Sequence, residues 1–270
     1  MTTIILAILS MGGLCALLSF LLAGADKKLR VEQDPRVEKV LAALPGVNCG
    51  GCGFPGCSAF AEHVVAGDAR INGCAPGGQA TAEKIAVIMG VEVGSMEKQV
   101  AVVLCHGGTK EAVRSAVYDG VKTCRAATFV GGGGKLCSYG CLGYGDCVAA
   151  CPFDAIAMND NWLPVVDPQK CTACGKCVEA CPRQLIELHS VNHTMFVFCK
   201  SQEKGPAVKK ACSVGCIACR LCVKNSPVEN GIVMNGNLAS IDHAICPPSD
   251  VVVEKCPMNT IQIVMYDLKQ

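Results

Sequence analysis

Aromatic side chains are scarce: Phe, Trp and Tyr make up 4% of the 270 residues, with a single tryptophan. So thin a supply, beside abundant Gly, Ala and Val, predicts several small domains instead of one large packed core. Charge is sparse as well, at 17% of residues and a net +1. No Lys/Arg block runs longer than a few residues, so no broad positive field for nucleic acid exists and nucleic acid is not expected as a partner. No dinucleotide or flavin fingerprint appears, which places NAD or flavin chemistry outside this chain. Gly131 to Lys135 mimics a phosphate loop, but no Ser or Thr follows the lysine and no upstream glycine has the required offset. It reads as a flexible lead-in to Cys137. The histidines (His63, His106, His189, His193, His243) are scattered, and no nucleophile, base and acid constellation is visible.

What the chain has is cysteine, 22 of them. Such density means a disulfide scaffold or metal ligation, and the spacing selects metal. From Cys171 to Pro182 the spacing is C-x2-C-x2-C-x3-C-P, the run of a bacterial-type [4Fe-4S] site, in which the fourth cysteine ligates the neighbouring cluster. A stretched partner lies upstream, with Cys137, Cys141, Cys147 and Cys151 followed by Pro152. The interlocked rule then assigns one cluster to Cys137, Cys141, Cys147 and Cys181, and another to Cys151, Cys171, Cys174 and Cys177. Further upstream, Cys49, Cys52, Cys57 and Cys74 form a glycine-rich quartet read as a third [4Fe-4S] site on a small helical domain. Structural zinc is the alternative for such C-x2-C pairs. Helical periodicity is expected over 35–43, 58–66 and 81–89.

The C-terminal third repeats the ferredoxin module. Cys147 to Pro152 matches Cys222 to Pro227, and Cys171 to Pro182 matches Cys246 to Pro257. In the copy Ser226, Ser249 and Val252 stand where Cys151, Cys174 and Cys177 do, so one cluster's ligands are lost and Cys246 is left as a relic. The other cluster's ligands survive as Cys216, Cys219, Cys222 and Cys256, predicting a fourth [4Fe-4S]. Cys105, Cys124, Cys199 and Cys212 remain. Strands over 99–104 and 194–198 lead into Cys105 and Cys199, and the two segments are expected to form a small α/β layer linking the modules. Reduced structural thiols are the commoner fate of buried cysteine; an extra metal site from these four is the alternative.

Thr2 to Ala25 is uncharged and almost wholly apolar, which predicts a single N-terminal transmembrane helix. Lys27, Lys28 and Arg30 follow it, and the positive-inside rule puts the remaining chain on the cytoplasmic side. The apolar N-terminus, Asp34-Pro35, the quartet ending in Cys74-Ala75-Pro76-Gly77-Gly78 and the double ferredoxin run together resemble the B subunit of the Rnf complex, in its longer form. The resemblance covers residues 1 to about 190. It implies an ion-translocating ferredoxin:NAD oxidoreductase in which this membrane-anchored subunit relays electrons from soluble ferredoxin toward other membrane and NAD/flavin subunits, at the inner cell membrane. The alternatives are an electron-transfer subunit of another membrane dehydrogenase or hydrogenase, or a membrane-bound iron–sulfur redox sensor. Lys170, Lys176 and Arg183 are candidates for steering an acidic ferredoxin.

The expected fold is α+β: a transmembrane helix (1–25), a juxtamembrane linker (26–36), a four-Cys iron–sulfur domain (37–92), an α/β connecting segment (93–135), a 2[4Fe-4S] ferredoxin module (136–190) and a partly decayed second module (191–270).

Overall fold

A computed structural model describes residues 2–29 and 34–266 of the chain. Its first element, α1, is a helix over Thr2–Leu29. The expected transmembrane helix is not found: among the described residues no helix is long and apolar enough to cross a membrane. Gly12, Gly13, Ser19 and Gly24 dilute the hydropathy of α1.

Caps set the next three helices. Asp34 accepts the amide of Arg36 at 2.8 Å, and Pro35 sits where a missing N–H costs nothing, so α2 (Pro35–Ala43) begins there. α3 (Cys57–Ala66) and α4 (Gly78–Met89) each stop at a left-handed glycine, Gly67 and Gly90. All three expected helices are present, with α3 and α4 starting slightly earlier than the periodicity indicates. They bury Val40, Phe60, Val64 and Ile85 against one another, each at about 1.5–3 kcal/mol of apolar transfer.

Two copies of one α+β unit follow. The first comprises β1 (Gln99–Val103), α5 (Cys124–Phe129), α6 (Asp146–Ala149), β2 (Ile156–Met158), β3 (Pro164–Val166), α7 (Lys176–Ala180) and β4 (Ile186–Ser190). The second comprises β5 (Met195–Val197), α8 (Gly205–Ala211), α9 (Leu221–Lys224), β6 (Ile232–Asn235), β7 (Leu238–Ile241), α10 (Asp250–Glu254) and β8 (Ile261–Ile263). Opening and closing strands pair antiparallel in both, with Val100 opposite His189 in β1·β4 and Phe196 opposite Gln262 in β5·β8. The hairpins β2·β3 and β6·β7 complete the pairings. Each opening strand is fastened by the same bond beyond its end: Leu104 N–H to Leu185 O (2.7 Å), and Phe198 N–H to Thr260 O (2.8 Å).

β1 and β5 are strands as expected, but each closes its own unit instead of forming a separate connecting layer. Val100, Val102 and Leu104 nevertheless pack with Phe196 and Phe198 in one buried cluster. The units therefore meet along their opening strands, and the cysteines just beyond those strands face the junction.

Candidate metal centres

Cysteine sulfur that holds a cluster needs three things: partners at one point, exclusion of water, and amide N–H groups to balance negative charge. In the quartet the sulfurs meet, Cys74 is buried, and the Gly77 backbone hydrogen-bonds Cys74. Cys49, Cys52, Cys57 and Cys74 line one cavity with Leu44, Pro45 and Phe60. Burial raises the pKa of Cys74, and the facing sulfurs of Cys57, Cys49 and Cys52 raise it further. The Cys57 amide donates to Asn48 Oδ1 at 2.8 Å, which anchors the loop to the start of α3.

In the first unit Cys151, Cys171, Cys174 and Cys177 come together. Burial pushes the Cys177 thiol up to about 11, assisted by Cys171, Cys174 and Cys151. The quartet leans directly on this set: a side chain at Gly51 would place its Cβ 2.7 Å from the Cys174 carbonyl oxygen, so only glycine permits the approach.

In the second unit Cys216, Cys219, Cys222 and Cys256 line a cavity closed by Val197, Ile261 and Met234. Burial raises Cys222 to about 11, followed by Cys216, Cys219 and Cys256 as nearby like charges. A shared hydrogen bond marks three of the four Cys-Pro pairs, Cys246-Pro247 being the exception. Cys151 accepts from Ala155 N–H (3.4 Å), Cys181 from Leu185 N–H (3.4 Å) and Cys256 from Thr260 N–H (3.3 Å).

The stretched run is arranged differently from its spacing. Cys141, Cys147 and Cys181 line one cavity, and the fourth cysteine there is Cys124, not Cys137. Burial raises Cys147 to about 12, and Cys124 and Cys181 are the first two charges to add to that. Cys124 opens α5, where Asp146 accepts the amides of Cys124 (2.8 Å) and Arg125 (3.0 Å). Cys137 lies on a separate cavity with Cys105, Cys199 and Cys212.

A signal for this was present. Cys137-Ser138-Tyr139-Gly140-Cys141 and Cys212-Ser213-Val214-Gly215-Cys216 are the same pattern, each followed six residues on by a further cysteine, Cys147 or Cys222. In that register Tyr144 stands where Cys219 does, so the first unit lacks a local ligand.

The lost site of the second unit is filled by packing. Val252 is fully buried, Cys246 is 7% exposed, and the Ser226 hydroxyl donates to Val228 O at 2.7 Å. Lys135 is buried, and its ammonium donates to the carbonyls of Gly107 and Cys141. The expected flexible lead-in is therefore a fixed tether. Of the three charges expected to steer, two have acidic neighbours on the same segment: Lys170 lies 4.0 Å from Asp167, and Lys176 lies 3.1 Å from Glu179. Three histidines, His189 and His193 four residues apart and the distant His243, bring ring nitrogens within 4.8 Å of one another. His193 and His243 are stacked at 4.4 Å and 7°, an arrangement that keeps their lone pairs parallel instead of convergent.

Comparison with known proteins agrees with this chemistry. Residues 44–76 match a family model described as "Putative Fe-S cluster", and residues 163–186 match a "4Fe-4S binding domain". The B subunit of the Na(+)-translocating ferredoxin:NAD(+) oxidoreductase complex of Acetobacterium woodii is 45% identical over 89% of this chain and 72% of its own length. The B subunit of the proton-translocating ferredoxin:NAD(+) oxidoreductase complex of Clostridium ljungdahlii is 42% identical over 100% and 96%. The B subunit of the ion-translocating oxidoreductase complex of Methanosarcina acetivorans is 38% identical over 97% and 99%.

Proposed function

Because the chain belongs to the B-subunit family of ion-translocating ferredoxin:NAD oxidoreductase complexes, the Rnf complexes, we propose that it relays electrons from reduced ferredoxin to partner subunits of such a complex. Ion translocation requires a membrane, which puts the assembled complex at one. Nicotinamide and flavin chemistry then belong to partner subunits.

The observation that carries this reading is the contiguity of the cysteine sets. Gly51 of the quartet abuts Cys174, Cys177 lies beside Cys147 in one core, and Cys199 adjoins Cys216 of the second unit. Cys49, Cys52, Cys57 and Cys74 would hold one cluster; Cys151, Cys171, Cys174 and Cys177 another; Cys216, Cys219, Cys222 and Cys256 another. Cys141, Cys147 and Cys181 supply three ligands of one more. Such clusters, when bound, supply one-electron carriage at potentials between about −700 and +450 mV.

The chain's own residues would set where in that range each site falls. Amide donors to Sγ from Ala155, Leu185 and Thr260 stabilise added negative charge. The apolar walls of each cavity act in the opposite sense, by withholding water. Cys219 is exposed and marks one solvent-facing end of the series.

Tagged full-length chain purified anaerobically from its host tests the assignment. Copurification of ion-translocating and NAD-reacting subunits is the expected result; isolation with a hydrogenase or another dehydrogenase instead would overturn it.

A further inference from the structure

Cys105, Cys137, Cys199 and Cys212 line one cavity at the junction of the two units, and we propose that they hold a fifth [4Fe-4S] cluster while Cys124 completes the set of Cys141, Cys147 and Cys181. This deepens the relay reading and rests on it.

Each unit contributes the same two positions to the junction. Cys105 and Cys199 stand two residues beyond the ends of β1 and β5, and their amides donate to equivalent carbonyls, Val103 O and Val197 O, both at 2.9 Å. Cys137 and Cys212 open the two Cys-Ser-x-Gly-Cys patterns. The last cysteine of each pattern turns its amide back onto the strand-end sulfur of the same unit. Cys141 N–H donates to Cys105 Sγ at 3.4 Å, and the Cys216 backbone does the same for Cys199. The duplication thus brings two related cysteine pairs, with the same positions and the same hydrogen bonds, to one cavity.

The surroundings suit an anionic cluster. Three of the four cysteines have further amide donors, from Ser201 to Cys199 (3.4 Å) and from Gly107 and Val214 to Cys105 and Cys212. Lys135 is 8% exposed and places its ammonium at the wall of the cavity, where a buried cation offsets the charge of a cluster held by four thiolates. Gly107 leaves room for sulfur: a Cβ there would lie 2.9 Å from Cys212 Sγ.

The position gives the site its use. Cys105 adjoins Cys141 of one set, and Cys199 adjoins Cys216 of another. Without a cluster at the junction, the second unit's set has no cysteine neighbour through which to join the series. With it, the five sets run unbroken from the quartet to Cys219.

Iron and sulfide counts on the full-length, anaerobically reconstituted chain test this. The parent should carry about 20 iron per chain, at four per cluster. Cys137→Ala and Cys212→Ala should each lower the count to about 16, and the double variant should remain at about 16, because both residues serve one cluster. A parent count of about 16, or a double variant at about 12, overturns the proposal. Cys124→Ala with Cys181→Ala gives the matching pair for the other set, with the same non-additive loss expected. Should a variant fail to fold, the parent count decides. Zinc in place of iron would overturn the relay reading itself, whereas about 16 iron with reduction by ferredoxin intact would overturn only the fifth site.

Discussion

In the first unit Cys151, Cys171, Cys174 and Cys177 converge between α7 and the β2·β3 hairpin; in the second, Ser226, Cys246, Ser249 and Val252 occupy those places around α10 and β6·β7. The backbone survives this change intact, with the same element order and strand pairing. What replaces the metal ligands is ordinary packing: Val252 lies fully buried beside Ile232, Ala239 and Ile261. The pair teaches that this small fold tolerates either a convergent cysteine set or an apolar core at one of its two sites, while the site of Cys181 and Cys256, with its amide-to-sulfur bond, is kept in both units.

The largest test is to reverse the loss. Ser226→Cys, Ser249→Cys and Val252→Cys together, with Cys246 already in place, should add about four iron per chain on reconstitution. An unchanged iron count would show that the second unit has closed beyond recovery.

A smaller effect separates the units by pH in iron-free protein. Burial holds Cys141 and Cys147 at about 12. Unfolded thiols ionise near 8.5, so only the unfolded state loses these protons between that pH and about 12. Stability is therefore full below about pH 8 and falls as pH rises through that window. Hydrogen exchange should show β2·β3 losing more protection than β6·β7, since burial raises three thiols of the first unit to about 11 or 12, Cys141, Cys147 and Cys177, against Cys199 and Cys222 in the second. Equal loss in both hairpins would contradict the comparison.

Val252→Ala should destabilise the second unit by about 2 kcal/mol, the cost of a cavity in a closed apolar core, measurable by denaturant melting with clusters in place. A change below about 0.5 kcal/mol would mean that the relic site is loosely packed. Asp146 gives the smallest contrast. Its carboxylate caps the helix that carries Cys124, and the second unit, which has its own Cys219, places Leu221 there. Asp146→Ala should cost about 1 kcal/mol and loosen Cys124, while Leu221→Ala should cost less, since Leu221 is partly exposed.

Most of the cysteine groupings were legible because their members are local in sequence: Cys171, Cys174 and Cys177 lie within two turns of chain, and the Cys-Pro ends at Cys151, Cys181 and Cys256 announce themselves. The duplication was legible for the same reason. Cys124 was not, because its place in the cavity depends on an inserted segment folding back through Asp146, and no spacing encodes that return. Cys137 was drawn into the wrong neighbourhood by its nearness to Cys141, although the Cys-Ser-x-Gly-Cys repeat pairs it with Cys212. The apolar N-terminal run is the converse case: it forms the helix α1, yet among the described residues no helix is long and apolar enough to cross a membrane.

The central claim, that the chain carries electrons through contiguous cysteine-held centres, is tested most directly by anaerobic titration of the reconstituted full-length protein with reduced ferredoxin, followed by visible absorption and electron paramagnetic resonance. About five one-electron equivalents should be taken up per chain, with coupled signals from neighbouring centres. Uptake that stops after a single equivalent, with the other centres neither reduced nor coupled, would contradict the account.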